Sequence, residues 1–330
     1  MKENFYLTRN GKLVRDENTV YYIAEEIGKV PLPVEKIYAI YAYGRVSFTS
    51  GVVSYLAKHG IPMHFFNYYG FYEGTFYPRE TLVSGEVLVR QVEHYLDEEK
   101  RIQIAREFVR GASLNIMKNL GYYERSGKDV KNQMQRIEKL LPEIDEQRTI
   151  PELMRVEGAI RDSYYSAWNS ILPEDFRLDK RSRRPPENAV NSLISFGNSL
   201  MYSAVLSEIY NTQLNPTVSF LHVPSERRFS LSLDISEIFK PIIVDRIIFK
   251  LINKKIYTLN DFSKEMNFCI LKEKSRKKFL EEWDKRLKET VKHKKLRRNV
   301  SFRSLIRMEC YKIEKHIIGG ERYRPFVMWW

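Results

Sequence analysis

The sequence predicts an α+β protein, with a small N-terminal β-sandwich-like domain followed by a larger all-α domain. Three observations point there. Short aromatic and β-branched runs, separated by turn residues, fill the chain up to Pro78. From about Ser84 the apolar residues recur with the helical period instead. Gly and Pro become sparse at the same place.

In chain order, NTVYYIAEE, KIYAIYAYGRV and IPMHFFNYYGFYEGTFYP read as strands. Asn10-Gly11, Glu17-Asn18, Gly28, Pro31, Pro33, Gly70 and Gly74 mark the turns between short segments. SGVVSYLAKHG reads as one short helix, stopped at Gly60 and followed by Pro62. This gives a β-domain over 1–78, a linker over 79–87 and a helical domain over 88–330. The helical period opens with Leu88, Val92, Tyr95 and Leu96, and continues through Ile102, Ala105, Phe108 and Val109. No internal repeat or low-complexity tract is visible.

Of the 330 residues, 43% are hydrophobic and 29% charged, the balance of an ordinary globular protein. The formal net charge of +13 favours a polyanionic partner, nucleic acid first, over a merely solubilising surface. The two cysteines, Cys269 and Cys310, form no CxxC pair. That argues against a disulfide framework or a cysteine-built zinc site and for a reducing, cytoplasmic setting. The N-terminus has no secretory apolar stretch. No apolar run approaches the ~20 residues of a membrane span. The best candidate, over 242–252, is broken by Asp245, Arg246 and Lys250.

Chemistry-bearing residues cluster in two segments. In ELMRVEGAIRDSYYSAW, Leu153, Ile160, Tyr164, Trp168 and Ile171 form one apolar stripe of a helix, and Glu157 is aimed at the same side. A carboxylate so placed must be paired, protonated or metal-bound, because an unpaired buried charge is costly. Arg161, one turn on, is a ready partner. Gly158 is a poor helix former, and close approach of a backbone or a ligand is one reason to keep it.

In SFLHVPSERRFSLSLDISEIFKP, His222 stands at the end of an element before Pro224, and Asp234 and Glu237 follow at i, i+3 spacing. A helix puts both acids on one face, while the alternation Phe229, Leu231, Leu233 equally permits a strand up to Asp234. Pro241 kinks or ends any helix there. Two carboxylates and one imidazole suit Mg²⁺ or Mn²⁺, and the chemistry such ions serve is phosphoryl transfer. Spacing alone does not single these residues out. The cations that would hold a DNA strand are Arg227, Arg228 and Lys240, the cluster Lys180, Arg181, Arg183 and Arg184, and Lys294, Lys295, Arg297 and Arg298 of HKKLRRN.

Longer motifs narrow the choice. LMRVEGAIRDSYY, KRSRRPPENAVNSLISFGNSL, FLHVPSERRFSLSLDISEIFKPIIVDR, HKKLRRNVSFRSLIRMECYKIEKHIIG and HFFNYYGFYEGTFYPRE together resemble the CRISPR-associated adaptation endonuclease/integrase family ("Cas one"), in its subtype I-B form. The likeness spans essentially the whole chain. It implies an N-terminal β-domain used for dimerisation and partner contacts, and a C-terminal helical catalytic domain. It implies metal-dependent cutting of double-stranded or branched DNA. It also implies insertion of spacers into a CRISPR array by attack of a DNA 3′-hydroxyl on a repeat phosphodiester. The implied partners are a second copy of the chain and a small "Cas two" protein. The implied metal ligands are Glu157, His222 and Glu237, with Asp234 in support. Some family members carry Asp at the last ligand and Gly after the His, where this chain has Glu237 and Val223. The competing reading is a catalytically silent nucleic-acid-binding scaffold in the same complex. An RNA-specific nuclease would use the same metal logic.

Other features read more plainly. The aromatic run from Phe65 to Phe76 suits a sheet core or a dimer interface. The terminal FVMWW suits a docking surface or a tail tucked onto the fold.

Overall fold

Alternating burial in the first part of the chain resolves into two four-stranded sheets. One has the order β1 (Glu3–Leu7), β5 (Ile37–Ala42), β7 (Met63–Phe66), β8 (Tyr72–Phe76). Its β1–β5 and β5–β7 pairs are parallel and its β7–β8 pair antiparallel. The other has the order β4 (Gly28–Leu32), β3 (Thr19–Ala24), β2 (Gly11–Asp16), β6 (Val46–Phe48), with only β2–β6 parallel. In β3 every second side chain, Val20, Tyr22 and Ala24, is buried, as a strand with one wet face requires. Leu7, Ile40 and Met63 of the first sheet share one core with Leu13, Val20 and Tyr22 of the second. Val52 and Leu56 of the short helix α1 (Ser50–Lys58) join that core. Gly60, at φ +63°, ends α1.

The computed structural model describes residues 2–80, 82–182, 185–224, 229–265, 268–293 and 296–329. Six cations expected to contact DNA, Arg183, Arg184, Arg227, Arg228, Lys294 and Lys295, lie outside the described residues. The chain forms two compact units, Met1–Leu82 and Val83–Trp330. Asn10-Gly11 is not a hairpin turn, because β1 and β2 belong to different sheets. Asn10 Oδ1 accepts the Arg45 N–H at 2.8 Å, and a Cβ on Gly11 would lie 2.5 Å from the Ile23 carbonyl oxygen. The glycine is there for a close backbone approach.

The second unit is helical: α2 (Gly85–Leu96), α3 (Glu98–Arg125), α4 (Lys131–Leu140), α5 (Glu143–Glu146), α6 (Ile150–Ile171), α7 (Ala189–Ile209), α8 (Ser230–Phe239), α9 (Val244–Asn253), α10 (Glu273–Lys288) and α11 (Phe302–Ile317). The first turn of α2 begins inside 79–87, because the Ser84 side chain accepts the Val87 N–H and caps the helix. Two short antiparallel hairpins are added to the helices: β9 (Phe262–Glu265) with β10 (Phe268–Leu271), and β11 (Thr290–Lys292) with β12 (Asn299–Ser301). The described residues of HKKLRRN, 293 and 296–299, therefore belong to or adjoin this hairpin and lie in no helix.

α7 is buried almost all round and packs against α8, α9 and α11. A Cβ on its Gly197 would come 2.4 Å from Val244 Cγ1. α3 lies close to the C-terminal segment and to α8: a Cβ on Gly111 would stand 2.6 Å from Pro325 Cβ and 3.3 Å from Ile238 Cγ1. The described part of the FVMWW tail, residues 326–329, is tucked into this contact. Phe326 stacks on Phe239 at 5.7 Å, and Met328 is buried. Among the described residues no helix is long and apolar enough to cross a membrane.

Candidate metal centre

α6 starts at a capping box, with Thr149 and Glu152 satisfying each other's backbone N–H groups, and has Pro151 in its first turn. Its stripe of Leu153, Ile160, Tyr164, Trp168 and Ile171 is fully buried. Glu157 sits at the margin of that stripe with its side chain 22% exposed. Beside it, a Cβ on Gly158 would meet nothing within 4 Å, so the helix face next to the carboxylate is open.

His222 lies in the loop between α7 and α8, and side chains from three helices fix that loop. Gln91 of α2 donates to the carbonyls of Asn215 (3.0 Å) and Val218 (2.7 Å) and accepts the Asn215 N–H (2.9 Å). Arg101 of α3 donates to the Phe220 carbonyl at 2.9 Å. Asp234 of α8 does most. Its carboxylate accepts the N–H groups of Phe220, Leu221 and His222 at 2.7–2.9 Å, and Nδ1 of His222 at 2.8 Å. With Nδ1–H donated there, the lone pair of the neutral ring lies on Nε2, the atom left to bind a ligand. Burial lowers the His222 pKa, but the hydrogen bond to Asp234 and the charges of Asp234 and Glu237 outweigh it and raise the ring above its ordinary value.

Glu237 lies one turn beyond Asp234 on the helix. Pro241 cannot continue the backbone ladder, so α8 stops at Phe239. Two buried asparagines of α3 bond carbonyls at this helix end. Asn115 Nδ2 donates to Ile238 O (2.9 Å) and to Phe326 O (3.0 Å), and Asn119 Nδ2 donates to Pro241 O (3.0 Å). This anchors the end of α8 that carries Glu237.

The two carboxylates meet at Arg161. Its Nε donates to Glu157 Oε1 at 2.6 Å and its Nη2 to Glu237 Oε2 at 2.6 Å, while the same Nη2 also pairs with Glu157. Lys240 Nζ holds the other Glu237 oxygen at 2.5 Å. Burial pushes the Glu237 carboxyl up, yet Arg161, Lys240 and His222 together pull it well below the usual carboxylate range. Deeper in, Tyr164 donates to Asp245 Oδ2 at 2.9 Å. Burial dominates there and pushes the Asp245 carboxyl up to about 7.

Glu157 and Glu237 thus converge on one cation, and Asp234 ties His222 to the helix of Glu237. As the side chains stand, no three His, Cys, Asp or Glu among the described residues are grouped closely enough to hold a metal ion. The Arg161 guanidinium lies between two of the expected donors. The donor set still fits a divalent ion, because two carboxylates already face a shared positive charge and an imidazole nitrogen is available nearby.

The remaining candidates scatter. Lys180, Arg297 and Arg298 are exposed. Arg181 is half-buried, donating to the Ser182 carbonyl, to Asn191 Oδ1 at 3.0 Å and to Ser195 Oγ at 3.1 Å, so it braces the start of α7. Lys240 belongs to the acid cluster. Four supporting residues carry no catalytic signal in the sequence: Gln91, Arg101, Asn115 and Asn119. The last two do stand one turn apart within a buried apolar face of α3, a detectable sign of polar side chains with a fixed partner.

The family model described as "CRISPR associated protein Cas1" matches residues 5–285. "CRISPR-associated protein Cas1 1" of Methanobrevibacter ruminantium is 54% identical over 329 residues, covering 100% of this chain and 99% of that protein. "CRISPR-associated endonuclease Cas1" of Methanothermobacter thermautotrophicus is also 54% identical over 329 residues, covering 100% and 96%. Among solved structures, a CAS1 protein from Thermotoga maritima superposes with a TM-score of 0.87 at 39% identity, over 98% of this chain and 100% of its own.

Proposed function

Since the chain belongs to the CRISPR-associated Cas1 family, we propose that it is a divalent-metal-dependent DNA endonuclease and integrase of CRISPR adaptation. Glu157, His222 and Glu237 hold its metal in this reading. The observation that carries it is the convergence of Glu157 of α6 and Glu237 of α8 on a single cation, beside a histidine whose Nδ1 is fixed by Asp234. The Methanothermobacter relative is named an endonuclease. Two carboxylates with one imidazole suit Mg²⁺ or Mn²⁺.

When bound, such an ion stabilises the charge that builds on the phosphate oxygens and lowers the pKa of the attacking hydroxyl or water. The chain's own residues do the rest. Asp234 fixes the ring of His222 and the backbone of its loop. Asn115 and Asn119 fix the end of α8, and so the position of Glu237. Lys180, Arg297 and Arg298 are exposed and free to contact phosphates. In this reading a DNA 3′-hydroxyl attacks a repeat-end phosphodiester, a new phosphorus–oxygen bond forms as the bond to the repeat strand's 3′-oxygen breaks, and that oxygen leaves as a hydroxyl; the protein works as a homodimer with a small second CRISPR adaptation protein.

The rival is a DNA-binding scaffold without chemistry. It draws on one observation, that Arg161 and Lys240 already neutralise both carboxylates. The experiment that separates them is an integration assay with the small partner and a CRISPR repeat substrate. Strand joining that requires Mg²⁺ or Mn²⁺ and stops in EDTA supports the enzyme. DNA binding without joining at any metal concentration supports the scaffold.

A further inference from the structure

We propose that Arg161 is the resident cation of the metal-free centre, and that a metal ion enters only as the Arg161 guanidinium leaves. This rests on the reading of Glu157, His222 and Glu237 as metal ligands. One nitrogen of Arg161, Nη2, contacts carboxylate oxygens from both α6 and α8. It therefore stands where an ion shared by those two carboxylates would have to stand. The donors are not grouped for a metal while it is there.

Charge makes the same demand. Glu157 and Glu237 are balanced by Arg161 and Lys240, all four largely withdrawn from water. Adding a divalent ion without removing a cation would place three positive centres around two carboxylates in a poorly screened site. Exchange of one cation for another avoids that repulsion.

Arg161 also has a neighbour outside the two carboxylates that it can keep as it turns away. Tyr165, one turn further along α6, lies within hydrogen-bond reach of its guanidinium. The helix face beside Gly158 is open. Arg161 is at once a competitor for the metal and the group that keeps two facing carboxylates tolerable before the metal arrives. The same exchange frees a guanidinium beside the reacting phosphate, where a bidentate donor is useful.

The test is Mn²⁺ binding by isothermal titration, with thermal melts in the absence and presence of Mn²⁺, on the full chain as wild type, Glu157→Gln and Arg161→Gln. The expected result is Mn²⁺ binding by wild type that Glu157→Gln loses. Arg161→Gln should bind at least about tenfold more tightly, melt below wild type without metal, and gain more from added Mn²⁺. If Arg161→Gln does not fold, Arg161→Lys replaces it. Lysine keeps the charge but lacks the fork that spans both carboxylates, so it should bind Mn²⁺ severalfold more tightly than wild type. Binding equal to or weaker than wild type in the arginine variants, with Glu157→Gln still defective, overturns the exchange and leaves the metal site standing. Equal binding by wild type and Glu157→Gln removes the metal site itself, and the exchange with it.

Discussion

Asp234 shows how much one side chain can set. It accepts four hydrogen bonds, three from consecutive backbone N–H groups and one from His222 Nδ1. Each oxygen accepts two of these bonds, so Asp234→Asn sets an NH2 group against two donors. Each buried N–H left unpaired costs about 1–3 kcal/mol, and disturbing the histidine weakens metal binding by about 10–100-fold. Titration of Mn²⁺ against the variant, with a thermal melt alongside, measures both. An unchanged affinity would show that the Asp234 bond does not orient the ligand.

Asp245 makes a second prediction at the same scale. Its folded pKa of about 7 is above the ordinary 3.8, because burial disfavours the ionised form. Between those values the folded protein holds a proton that the unfolded chain has released. This group's contribution to stability is therefore full below pH 4, falls as pH rises toward 7, and is flat above. The span is at most about 4 kcal/mol. Asp245→Asn cannot ionise, and it still offers an acceptor to Tyr164. Its melting temperature relative to wild type should rise between pH 5 and pH 8, and a constant difference would mean that Asp245 is ionised throughout.

The elements are legible in the sequence to different degrees. The helix carrying Glu157 follows directly from its stripe. The spacing of Asp234 and Glu237 fits a helix or a strand, and alternation alone does not choose. What decides is long-range: Asp234 reaches back to the loop before α8, and asparagines more than a hundred residues earlier bond the carbonyls of Ile238 and Pro241 at the end of α8. Arg161 is visible in the sequence as an i, i+4 partner for Glu157. Its grip on Glu237, 76 residues away, is not, because nothing local to either residue encodes the meeting of α6 with α8. The hairpins within the helical unit escape a sequence reading for the opposite reason, being too short for a period to show. The contact of α3 with the C-terminal segment supplies the prediction at this scale. Gly111→Ala forces a Cβ to within 2.6 Å of Pro325. Such overpacking costs about 1–3 kcal/mol and should lower the melting temperature, whereas an unshifted melt would mean the tail gives way freely.

For the whole molecule the net charge of +13 is the broadest signal. Among the described residues the exposed Arg297 and Arg298 at the β11–β12 hairpin are the clearest part of it to test. Replacing both with alanine should weaken binding to every DNA sequence. It should also reduce the slope of log affinity against log salt by about 2, near 0.9 for each phosphate no longer neutralised. An unchanged slope places the DNA elsewhere. The tail is a further whole-chain feature. FVMWW reads from sequence as either a docking surface or a tucked segment. The contacts of its Phe326 and Met328 with Phe239 and Asn115 make those two residues part of the support of the candidate metal centre.

The most direct measurement is DNA cleavage by wild type and by Glu157→Ala, purified side by side, in Mn²⁺ and in EDTA. The account predicts cutting by wild type only with Mn²⁺, and a loss of at least about 100-fold in Glu157→Ala while its melting profile remains that of a folded protein. Equal cutting by the two proteins would contradict it, because the chemistry would then lie outside the cluster of Glu157, His222 and Glu237.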